Sequence, residues 1–123
     1  MIFALSQSKE PTALAAVIDT ARNDKTPQLR SKALFWLAQK AANKQTQDVI
    51  LNAAKSDPEL SVKEQAVFAL KQLPESQGVP LLIEVAKNNP DPAVRKKAMF
   101  WLGQSKDQRA ADFFAQVLGD TRR

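Results

Sequence analysis

The sequence contains no cysteine, no histidine and no tyrosine, and only three glycines. Without cysteine there is no disulfide and no thiolate chemistry, and the redox compartment is left open. Without histidine the commonest general base and metal ligand is missing. The carboxylates are scattered over loops and helix ends with no nucleophile–base pair at a credible spacing, so neither an enzyme nor a cofactor or metal site is expected. None of the glycines sits in an Asn-Gly or Asp-Gly turn and no stretch sustains two-residue alternation, which removes the hairpin signals of a β-fold. Long apolar runs are also absent. "ALAAVI" (13–18) and "ALFWLA" (33–38) fall far short of the roughly 18 residues a membrane span needs, and the opening "MIFALSQ" has neither the basic lead-in nor the apolar length of a signal peptide. An excess of one charge sign is present but small: 18 basic against 13 acidic residues, net +5. The acids are interspersed along the chain and only "VRKK" (94–97) and the tail "TRR" are basic clusters. Phosphate tracking wants a continuous stripe, which Glu64 interrupts. A nucleic-acid-binding module is therefore the weaker alternative.

What is present is the composition of a soluble folded domain, 44% apolar and 25% charged over 123 residues, organised by a repeat. Four pieces read "FALSQ" (3–7), "FWLAQ" (35–39), "FALKQ" (68–72) and "FWLGQ" (100–104), with their phenylalanines 32, 33 and 32 residues apart. At that spacing "LRSKALFWLAQ", "VKEQAVFALKQ" and "VRKKAMFWLGQ" align as helices of one type. Between them runs a second kind of amphipathic segment, "LAAVIDTARND", "QDVILNAAKSD", "VPLLIEVAKNN" and "AADFFAQVLGD". Thr26-Pro27 and Asp91-Pro92 each place an N-capping side chain before a proline at the first helical position, where its missing N–H costs nothing. Asp57-Pro58 does so about two residues early, unless Ser61 and Glu64 form a capping box and start the helix later. The reading is eight helices, near 1–6, 11–23, 28–41, 46–56, 59–72, 78–88, 92–103 and 108–119.

Two helices per repeat of about 32 residues, stacked side by side, make an all-α solenoid. "NPDPAVRKKAMFWLGQSKDQRAADFFAQVL" (89–118) resembles a short HEAT repeat of the type named after phycobilisome lyases, with its Asp-Pro, Val-Arg, small-residue helix and Leu-Gly. "SDPELSVKEQAVFALKQLPESQGVPLLIEVA" and "TPQLRSKALFWLAQ" match more loosely. Lys63 stands where the pattern keeps Arg30 and Arg95, and Ala38 and Lys71 stand where it keeps Gly103. The resemblance implies a right-handed α-α superhelix and a non-catalytic scaffold for a protein or peptide partner. It also implies an inter-repeat polar ladder of Arg30, Asp57, Arg95 and Asp91, and second helices that line the concave groove. The chain divides into a partial repeat 1–7, repeats at about 8–41, 42–73 and 74–104, and a partial repeat 105–123. Both ends cut the repeat unit, which reads as a segment of a longer array able to self-associate through apolar ends around Ile2, Leu5, Phe113, Phe114 and Val117.

Helical phase says what the phenylalanines are for. With Ala33 at zero on a wheel of about 100° per residue, Leu29, Arg30, Leu34, Trp36 and Leu37 share one side, and Phe35 lies near 200° on the polar face. Phe68 and Phe100 repeat that phase. They make a candidate partner-binding row together with Lys32, Gln39, Gln65, Gln72, Lys97 and Gln104, which offer hydrogen bonds and charge beside the rings. Strong superhelical curvature would instead fold the phenylalanines onto one another as a minor core strip, and a purely structural spacer is the corresponding functional alternative. Trp36 and Trp101 point to the flank between repeats, where Ala69 supplies the matching small residue. The compartment and the partner's identity are not encoded.

Overall fold

A computed structural model describes residues 11–40 and 43–121. It contains seven helices: α1 (Pro11–Asn23), α2 (Pro27–Lys40), α3 (Lys44–Ser56), α4 (Leu60–Gln72), α5 (Glu75–Asn88), α6 (Pro92–Gln104) and α7 (Gln108–Thr121), and no strand among the described residues. The helix expected near 1–6, with Ile2, Phe3 and Leu5, lies outside them. Each helix packs on the next in sequence and on the one after next. Two layers result, α1, α3, α5 and α7 in one and α2, α4 and α6 in the other. This is an all-α solenoid of stacked helical hairpins, as the repeat predicts.

The core lies between the layers and is built from equivalent repeat positions. Ala33, Ala66 and Ala98 are buried, as are Leu37, Leu70 and Leu102, with Val17, Ile50 and Val67 closing against them. Small residues at every repeat position let neighbouring helices approach closely. Covering a position takes a neighbour on its flank. Val62 and Val94 are fully buried beneath the preceding helix of their layer, whereas Leu29, at the same repeat position in α2, has no described neighbour on that side and is 43% exposed. The single-helix wheel puts Leu29 on the covered side; its surroundings, not its phase, leave it open. At the other end Phe113 is buried, Phe114 and Val117 are half-buried, and Leu118 is exposed.

The helix starts follow local chemistry. Asp91 caps α6 through Ala93 N–H at 2.9 Å with Pro92 in the first turn, so that signal is sufficient. Between the two starts that the sequence allows for α4, the chain takes an intermediate one at Leu60. Asp57 Oδ1 accepts the Glu59 N–H at 2.9 Å in an Asx turn, and Ser61 and Glu64 make no capping box. Asn43 and Thr46 do make a box at α3, each side chain accepting the other's backbone N–H. The start of α5 comes three residues before the expected position 78. Pro80 then sits inside the helix and cannot donate to the Ser76 carbonyl. Arg109 of α7 approaches that carbonyl and its neighbour instead, Nη1 to Ser76 O at 3.4 Å and Nη2 to Glu75 O at 3.3 Å. Gly78 lets this end of α5 reach α4, because a Cβ there would stand 2.5 Å from the Leu70 carbonyl oxygen.

Candidate functional site: the open face of α2, α4 and α6

The three helices α2, α4 and α6 touch α1, α3, α5 and α7 on one side and one another on their flanks, so one face of each remains open. Phe35 and Phe100 stand on that face, 40% and 55% exposed. Phe68 differs, being half-buried. Its ring meets Trp101 at a centroid distance of 5.5 Å, and Trp101 in turn meets Phe100 edge-on at 5.0 Å. The cause is the residue after each phenylalanine. Trp101 reaches across from α6 and covers the phenylalanine of the preceding repeat, whereas Ala69 in α4 is too short to do the same for Phe35. The signal for this in the sequence is the alternation of Trp, Ala and Trp at the equivalent positions 36, 69 and 101. Both tryptophans are half-buried against the core. The expected contrast of covered tryptophans and open phenylalanines therefore holds at Phe35 and Phe100 and not at Phe68.

Polar groups frame the rings. Lys71 extends over both Phe68 and Trp101, its Nζ at 6.0 Å and 5.1 Å from the ring centroids, a cation–π arrangement that helical phase alone does not announce. Lys32, Gln39 and Gln104 are exposed on the same face, and Gln65, Gln72 and Lys97 are half-buried. Trp101 Nε1 is enclosed with no acceptor among the described residues. Beside Trp101, a cleft of about 90 Å³ opens between α4, α5 and α6, floored by Leu73, Val79 and Leu82 and edged by Lys71, Glu75, Gln104 and Ser105.

Charge is sorted by layer. α2 carries Arg30, Lys32 and Lys40, α4 carries Lys63 and Lys71, and α6 carries Arg95, Lys96 and Lys97: eight basic residues against the single acid Glu64. Two of these cations, Arg30 and Lys63, bridge neighbouring repeats, and a third, Arg95, closes the loop ahead of its own helix. Arg30 is buried and grips Asp57 with two bonds, Nε–Oδ2 at 2.9 Å and Nη2–Oδ1 at 3.1 Å, while its Nη1 donates to Asp24 O at 2.7 Å. The hydrogen bond to Asp57 raises the already high pKa of the guanidinium, so Arg30 stays charged. One repeat on, Lys63 lacks the fork and reaches Asp91 at 3.6 Å. Asn89 occupies the place of Asp57 and donates to the α3 carbonyl of Ala54 at 2.9 Å. Arg95 donates to Asn89 O at 2.6 Å, repeating the contact of Arg30 with Asp24. Among the described residues no carboxylate pairs with Arg95, Lys32, Lys71, Lys96 or Lys97.

Among the described residues no three His, Cys, Asp or Glu side chains gather as metal ligands, and no helix is long and apolar enough to cross a membrane. No curated protein matches the chain. A family model of HEAT repeats matches it twice, over residues 14–88 and over 47–123. HEAT repeats are commonly protein-interaction scaffolds and generally non-catalytic. The two matched stretches span all seven described helices apart from the first turn of α1, and together with the two-layer stacking they place this chain in the HEAT repeat family.

Proposed function

We propose that the chain is a non-catalytic interaction scaffold that binds a protein or peptide segment across the open face of α2, α4 and α6. The observation that carries this reading is the exposure of Phe35 and Phe100 at equivalent positions of a repeat whose neighbouring positions are closed. A bare ring costs the free protein solvation that a partner recovers on contact, on the order of 1.5–3 kcal/mol for each ring fully covered. Gln39, Gln72 and Gln104 lie about 40° around the helix from the rings and offer both donors and acceptors to a partner's backbone. The pairs Arg30–Asp57 and Lys63–Asp91 take the structural role expected of the polar ladder, holding the repeats in register beneath this face, while Arg95 ties down the loop at Asn89. A nucleic-acid ligand is the second reading, favoured only by the unpaired lysines.

The test is selection from a displayed peptide library on the wild-type chain, followed by titration of the recovered peptides against a Phe35→Glu/Phe100→Glu double variant. Loss of binding by the variant at an unchanged unfolding temperature is the expected result. Equal binding to both proteins overturns the face assignment. Tight retention on a single-stranded DNA column that collapses with added salt would favour the second reading.

A further inference from the structure

We infer that the partner segment is acidic, with a carboxylate seated on Lys71 and an adjacent aliphatic side chain in the cleft beside Trp101. This rests on the scaffold reading above and specifies the chemistry of its ligand. The first support is charge complementarity. Within about 60° of the phenylalanines on the helix wheel lie Lys32, Lys71, Lys96 and Lys97 against one acid, Glu64. None of the four lysines has a carboxylate partner among the described residues. The arginines of these helices are turned to the joints, so the open face is left with compact ammonium charges.

The second support is the placement of Lys71. Its ammonium lies over the rings of Trp101 and Phe68, and the aromatic shelf displaces water from one side of the charge. A carboxylate arriving there would pair with a cation already positioned over the rings, so less side-chain freedom is lost in forming the pair. The third support is the cleft itself. Its volume of about 90 Å³ exceeds what one water needs, its floor of Leu73, Val79 and Leu82 is apolar, and its polar lining is Lys71, Gln104 and a Glu75 already held by Ser105 Oγ. A short aliphatic residue next to the acid fits both features at once. The apolar floor of the notch favours a polypeptide side chain over a nucleotide, whose base or sugar would leave polar atoms unpaired against Leu73, Val79 and Leu82.

The experiment uses the whole chain and three labelled 12-residue peptides with the same Leu and Phe positions, the remaining positions being all Glu, all Gln or all Lys, plus a 12-nucleotide oligo-dT. Binding is read by anisotropy and by the emission of the two tryptophans at low and high salt. The Glu peptide is expected to bind at least ten times more tightly than the Gln peptide and to lose that advantage in high salt. It should also weaken about tenfold with Lys71→Glu while Lys87→Glu, an exposed lysine of α5, leaves it unchanged. If the Gln peptide binds as well as the Glu peptide, or if Lys87→Glu weakens binding as much as Lys71→Glu, the acidic-partner inference is overturned. In that event loss of the Gln peptide by the Phe35→Glu/Phe100→Glu variant would still leave the scaffold face standing. Oligo-dT binding more tightly than every peptide, or no probe binding at all, overturns both.

Discussion

In the layer of α2, α4 and α6 the positions facing away from the core hold phenylalanine, lysine and glutamine, and eight basic residues accompany one acid. In the layer of α1, α3, α5 and α7 five basic residues (Arg22, Lys44, Lys55, Lys87, Arg109) stand against six acids (Asp19, Asp48, Glu75, Glu84, Asp112, Asp120). Lys44 bridges Asp48 within α3, and Arg109 pairs with Asp107 at the entry to α7. Both layers bury the same kind of aliphatic stripe, so core packing does not require the difference. A layer whose charges balance, with ion pairs at Lys44 and Arg109, is suited to solvent, while one with a surplus of cations beside exposed rings keeps interaction energy available for a ligand.

The largest way to break the comparison is to remove the joint that keeps the two layers in register. Arg30→Ala would leave Asp57 buried without its fork, and a change of that kind costs about 3–5 kcal/mol. Urea unfolding is expected to show it. Arg30→Lys converts the joint into the looser type seen at Lys63 and should cost less; equal losses for Ala and Lys would mean that the bidentate geometry contributes nothing.

A middle-sized effect is expected at Trp101. Trp101→Ala uncovers Phe68 and removes a half-buried ring, for a loss of roughly 1–3 kcal/mol. Trp101→Phe keeps much of the ring surface and removes an N–H that finds no acceptor among the described residues. It should be close to neutral, because an orphaned donor itself costs about 1–3 kcal/mol. A Trp101→Phe variant as unstable as Trp101→Ala would show that the indole makes a contact beyond ring packing.

Smaller again is Phe100→Glu. The ring is 55% exposed, and substitutions at such sites usually change stability by within about 0.5 kcal/mol. Thermal unfolding should therefore be nearly unchanged, in contrast to Leu70→Ala in the shared core, for which roughly 2–5 kcal/mol is expected. A Phe100→Glu protein that unfolds as readily as Leu70→Ala would make the ring part of the core and end the distinction between the layers.

The repeat, the all-α architecture and most helix spans are legible in the sequence because the apolar period and the Asp-Pro and Thr-Pro joints are local signals. The early start of α5 is not. Glu75, Ser76 and Gln77 carry no apolar side chain for a periodicity to detect, and the helix is held there by Gly78 against α4 and by Arg109 from α7, both long-range contacts. Phase correctly turns Phe35 and Phe100 outward, but a wheel drawn for one helix cannot show a tryptophan arriving from the next, so it misjudges Phe68. Charge is the least legible feature. Along the chain the acids look interspersed because helices of the two layers alternate; the segregation emerges only when every second helix is placed side by side.

The smallest effect expected is a pH effect confined to the paired layer. The side-chain hydrogen bond from Arg109, followed by its backbone N–H, lowers the Asp107 carboxyl from 3.8 to about 2. A depressed carboxylate pKa contributes stability that is present above its ordinary value and is lost as pH falls through the folded value, so the window runs from about 3.8 down to about 2. Both side chains lie at the surface, and water screens the pair, so the change should be small. It should appear as loosening at the start of α7, where Arg109 also approaches the Ser76 carbonyl freed by Pro80. Comparing wild type with Asp107→Asn by helical circular dichroism, the difference should be constant above pH 4 and shrink as pH approaches 2. Ligand binding to the face of α2, α4 and α6 should be insensitive to Asp107→Asn at neutral pH. A variant that abolished binding there would show that the layers are coupled through α7, and that the open face depends on the paired one for more than support.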